Sequence, residues 1–137
     1  VGQAVEFLEA AARHTPTSIE YEALVTSAII HYARPFSKNE RSEAAKALPS
    51  VPKSATRDLS AEEMELHNRI INRRNKAVAH SEWNEFPTSV DVDTKIIMSQ
   101  RYRIYPEFLD IKPFEALAKK LHARLHNLVA DHVLRKP

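Results

Sequence analysis

Arg74, Asn75 and His80 are the residues of this chain best placed for chemistry, standing together in RNKAVAH at the end of a long amphipathic stretch from Ser60 to His80. A histidine titrates near neutral pH and can move a proton, an arginine can hold an anion through two parallel N–H donations, and an asparagine can orient the histidine or a bound phosphate. Going round a helix at about 100° per residue, Leu66, Ile70, Ile71, Ala77 and Val78 share a broad apolar face, with Arg74 in its middle. Asn75 borders that face on one side, Arg73 and His80 lie near its other edge, and Arg69, Asn72 and Lys76 point away. A guanidinium centred on an apolar stripe is unusual, because arginine is seldom buried without a partner. Packing alone offers two explanations. Arg74 pairs with a buried carboxylate such as Glu9, Glu22 or Glu115 while His80 caps the helix C-terminus, or the stripe faces a second copy of the chain.

The elements that must position these groups read as helices. Ser60-Ala61-Glu62-Glu63 is a capping box that starts the central helix. Before it, Ala4, Val5, Leu8, Ala11 and Ala12 recur at helical spacing between Gln3 and His14, and Thr15-Pro16 ends that segment. A second helix begins near Thr17 or Ser18 and stops at about Ala33, ahead of Arg34-Pro35. Its apolar residues fall on two sides, Tyr21, Val25, Ala28, Ile29 and Tyr32 against Ile19, Ala23 and Ile30, which predicts a helix enclosed by neighbours. Ser37 to Glu40 form another capping box and predict a short extra helix ending at Pro49, followed by an irregular connection. The stretch 88–105, with VDVD and RYRIY alternating at period two, predicts extended structure or a small hairpin. Asp110 or Lys112 caps a last helix with Pro113 in its first turn, and Phe114, Leu117, Ala118, Leu121, Leu125, Leu128 and Val129 form its buried stripe up to about Arg135.

Composition narrows the function classes. The chain has 137 residues, enough for one domain with a sizeable core and no staples. A single glycine excludes P-loop and dinucleotide-binding enzymes, whose loops need glycine where backbone meets phosphate. No cysteine is present, so disulfides and thiolate metal sites are ruled out and a reducing, cytoplasmic setting is compatible. The run from Ala23 to Ala33 is too short to span a bilayer, and no membrane association is expected. The beginning, VGQAVEFLEA, lacks an initiator Met and a signal-peptide run, and reads as part of a longer chain. A net charge of +2 does not establish nucleic-acid binding without a local cluster. Abundant Ala, Leu, Glu, Lys and Arg favour an all-α fold, and the element pattern suggests one four-helix bundle over 1–137.

The string RNKAVAH, running into Ser81, resembles the signature of the HEPN superfamily, an Arg and a polar residue followed by His near the end of a bundle's third helix. Five residues lie between Arg74 and His80, within the family's spacing, and Arg73 also falls within it; the Arg-Asn order favours Arg74. The likeness covers these seven residues and no second motif. It implies a HEPN-like bundle that homodimerises, placing two motifs in one cleft. It further implies a metal-independent endoribonuclease, a toxin or antiviral effector needing no cofactor, with Arg74, Asn75 and His80 as catalytic residues. The RNA 2′-hydroxyl would attack, leaving a 2′,3′-cyclic phosphate and a 5′-hydroxyl. The alternative within the same family is an inactive nucleotide-binding or protein-interaction scaffold. A nucleotidyltransferase-type antitoxin is the partner that the resemblance implies.

Around the motif, Arg69, Arg73 and Lys76 form a basic patch suited to backbone phosphates. Arg101 and Arg103 interleave with Tyr102 and Tyr105 as in single-strand binders, a pattern that a half-buried strand with a solvated face produces equally well. His122 and His126 stand one turn apart but lack a third ligand, so no metal site is expected, and His132 reads as a core histidine.

Overall fold

A computed structural model of the chain describes residues 1–36, 51–75, 88–91, 93, 96–99, 108 and 110–134. The protein is mostly helical. Among the described residues four α-helices are present: α1 (Gly2–Ala11), α2 (Ile19–Ala33), α3 (Ala61–Arg73) and α4 (Lys112–Leu134). Short 3-10 turns at Arg34–Phe36 and Lys53–Thr56 accompany them, with one antiparallel hairpin of β1 (Thr88–Asp91) and β2 (Ile96–Ser99). Helix α1 packs on α2 and α4, α2 packs on α3, and α4 touches α3 and the Lys53–Thr56 turn.

The helix boundaries follow from local chemistry. Ser18 accepts a hydrogen bond from the Tyr21 amide and starts α2, and Pro35, which has no N–H to donate back to the helix, lies in the 3-10 turn that follows it. The α3 capping box is complete: Ser60 Oγ accepts from the Glu63 amide at 3.1 Å, and the Glu63 carboxylate accepts from the Ser60 amide at 2.8 Å. Asp110 accepts from the Lys112 amide at 3.0 Å at the entrance to α4, where proline occupies a position needing no donor.

The core is built by one stripe from each helix. Ala4, Leu8 and Ala11 line α1, and the two alanines allow close approach of its neighbours. Tyr21, Val25, Ala28, Ile29 and Tyr32 come from α2, Ile70 from α3, and Phe114, Leu117, Ala118 and Leu121 from α4. Burial of each large side chain here is worth roughly 1.5–3 kcal/mol. Phe108 and Ile111 close the entrance to α4, and the buried Tyr21 hydroxyl donates to the Phe108 carbonyl at 2.7 Å. Burial, then the nearby Asp110 charge, pushes the Tyr21 phenol above its ordinary pKa, so it stays a donor.

Two expectations about burial are corrected. Helix α2 is enclosed on one side only: Ile19 is 68% exposed, Ala23 is exposed and Ile30 is half-buried. The deep stripe of α4 ends at Leu121, with Leu125 and Leu128 half-buried and Val129 63% exposed. At 23 residues α4 is far longer than the 10-residue α1, so its later turns outrun that partner. The helix predicted from Ser37, the Arg101–Tyr105 segment and the side chain of His132 lie outside the described residues.

Ion pairs fasten the outside of the bundle. Lys120 reaches Glu63 at 2.6 Å, and Arg124 pairs with Asp58, tying the approach to α3 onto α4. Lys119 joins Glu9 at 2.8 Å and Glu115 at 2.6 Å, linking α4 to α1. These pairs are largely exposed and set orientation more than stability.

Candidate functional site

The candidate site lies where α3 ends. Arg74 comes directly after the last residue of the helix, and its backbone N–H donates to the carbonyls of both Ile70 and Ile71. The chain then enters a π-type turn at Arg74–Asn75. Such turns recur at functional sites.

Both described members of the motif are half-buried and touch each other. The Arg74 guanidinium donates through Nη1 to Asn75 Oδ1 at 3.2 Å. Among the described residues Arg74 makes no ion pair. Of the carboxylates that the sequence offers it, Glu9 and Glu115 are both engaged by Lys119 instead. A guanidinium has five N–H donors, and a neutral amide occupies one without cancelling the charge. The arrangement can therefore still receive an anion, which an arginine neutralised by a carboxylate does poorly.

The remaining sequence candidates divide. Arg69 is exposed and Arg73 half-buried, one turn apart on α3. His80, Lys76, Arg101 and Arg103 lie outside the described residues. His122 and His126 are exposed, and among the described residues no group of three or more His, Asp or Glu is placed to hold a metal. No described helix is long and apolar enough to cross a membrane.

A residue that the sequence pattern does not single out is His67. It stands seven positions before Arg74, two turns back on the same side of α3, and is only 6% exposed. Its Nδ1 lies 2.8 Å from the hydroxyl of Tyr32 on α2. Phe36 meets its ring edge-on at a 4.8 Å centroid distance, and Tyr32 in turn meets Phe114 of α4 at 5.2 Å. Burial holds the His67 imidazole below the ordinary histidine pKa and raises the Tyr32 phenol well above its own, so both are neutral at pH 7. The available signal is its position between Leu66 and Ile70, inside the apolar stripe.

Comparison with family models, with curated proteins and with solved structures finds no match to this chain.

Proposed function

We propose that this chain is a HEPN-like helical domain acting as a metal-independent endoribonuclease, with its site built from Arg74, Asn75 and His80. The observation that carries the reading is the half-buried Arg74, held by a neutral asparagine and, among the described residues, joined to no carboxylate, which suits it to a phosphate. RNA brings its own nucleophile, so the protein has to supply only proton transfer and charge stabilisation. His80 removes the 2′-hydroxyl proton or donates to the leaving 5′-oxygen, Arg74 holds the phosphate, and Asn75 orients the guanidinium. The 2′-oxygen bonds to phosphorus as the 5′-oxygen departs, giving a 2′,3′-cyclic phosphate and a 5′-hydroxyl. Arg69 and Arg73 extend the positive surface along α3, and Lys76, Arg101 and Arg103 are assigned to the same role.

In this reading the protein is a cytoplasmic homodimer that pairs two motifs in one cleft, works as a toxin or antiviral effector, and is restrained by a nucleotidyltransferase-type antitoxin. The test is incubation of the purified protein with single-stranded RNA in excess EDTA, and then analysis of product ends. Cleavage to cyclic phosphates, blocked when the 2′-hydroxyls are replaced by hydrogen, is expected. Nucleotide binding without cleavage would assign the chain to the inactive scaffolds instead.

A further inference from the structure

Helix α3 is held by little apolar surface. Among its described residues only His67 and Ile70 are buried, so one of its two deep anchors is a titratable ring. That ring faces the Tyr32 hydroxyl from α2 and the phenyl ring of Phe36 from the adjoining 3-10 turn. On its own helix Glu65 and Arg69 are exposed, and Glu63, one turn back, is engaged by Lys120 of α4 and by the Ser60 amide. No described carboxylate bonds the imidazole. Among the described residues its surroundings therefore suit the neutral ring and offer an imidazolium no bonded counter-charge, with little access to water.

We propose that His67 is an acid-sensitive latch: neutral, it pins α3 to α2 through Tyr32, and protonated, it releases α3 together with the Arg74–Asn75 turn. The proposal does not depend on that turn being catalytic. Protonation places a charge in an aromatic box and leaves Nδ1 able only to donate to Tyr32, whereas the released helix exposes the ring to water. The open form thus binds the proton more tightly than the closed one, and acid favours opening. Glu63 does not confuse the signal. Lys120 and the Ser60 amide hold its carboxylate below the ordinary range, so it stays ionised while His67 titrates.

The test is amide hydrogen exchange, expressed as protection factors, from about pH 7.5 down to about pH 4.5, a window that brackets histidine titration. Protection from Leu66 to Arg73 is expected to fall about tenfold per pH unit between the open-form and closed-form pKa values of His67. Leu8 and Val25, in α1 and α2, exchange only through global unfolding and are expected to stay better protected than α3 at every pH. His67→Phe, which retains a ring but not the proton site, should lose the dependence. Protection in α3 equal to that of α1 and α2 at every pH, or an unchanged loss in His67→Phe, overturns the proposal. If that variant does not fold, NMR titration of the parent's imidazole decides: its midpoint must lie below that of a free histidine, and a ring titrating as in water defeats the latch.

Discussion

Replacing Tyr32 by Phe removes one oxygen and leaves the ring that meets Phe36 at 5.8 Å and Phe114 at 5.2 Å. The loss falls on His67 Nδ1, which has the Tyr32 hydroxyl as its hydrogen-bond partner in a side chain only 6% exposed. A net hydrogen bond is worth about 0.5–1.5 kcal/mol, and leaving a buried group unpaired costs about 1–3 kcal/mol. Relief from burying the hydroxyl offsets part of this, so a loss of about 1–3 kcal/mol is expected. For 137 residues at about 2.1 cal/mol/K each, the unfolding entropy is about 0.29 kcal/mol/K, and Tm should fall by about 3–10 °C. Urea unfolding at pH 7.5 of parent, Tyr32→Phe, His67→Phe and the double variant measures the coupling directly. If the two substitutions add with no interaction energy, or Tyr32→Phe is as stable as the parent, then the pair does not join α2 to α3 and the reasoning fails.

Other substitutions test separate parts of the account. Ile70→Ala, in the second anchor of α3, should cost about 2–5 kcal/mol in urea unfolding. Ser60→Ala removes the capping bond to the Glu63 amide and should cost about 1 kcal/mol by the same measurement. Val129→Ser lies on an exposed position of α4 and should shift stability by less than about 0.5 kcal/mol, where a core valine would cost several times more. Overall stability should decline as pH falls from the free-histidine pKa towards that of buried His67. The unfolded chain binds that proton more tightly, and in His67→Phe this part of the decline should vanish from a pH series of denaturation curves.

What can be read from the sequence is whatever depends on near neighbours. The start of α3 is legible because Ser60 and Glu63 satisfy each other's backbone, and the end of α2 because Pro35 has no N–H to continue the helical hydrogen bonds. Arg74 stands out because its charge breaks an apolar stripe, and its half-burial agrees with that place. The turn at Arg74–Asn75 is not legible, since no residue-type rule marks where an α-helix widens by one residue. His67 escapes because its partner, Tyr32, is 35 residues away, and helical periodicity says nothing about which side chain faces it across an interface. The extent of α4 burial is overread from the sequence for a related reason. Periodicity reports which side of a helix is apolar, while burial at Val129 depends on how far the other helices reach.

The central claim, that the motif at the end of α3 cleaves RNA, is tested most directly by comparing parent and His80→Ala on single-stranded RNA in excess EDTA, with folding checked by circular dichroism. The account predicts chelator-resistant cleavage by the parent that falls by at least about 10²-fold in the variant, the lower end of what a positioned acid–base group supplies. Equal cleavage by both proteins, or a parent activity abolished by EDTA, would contradict it.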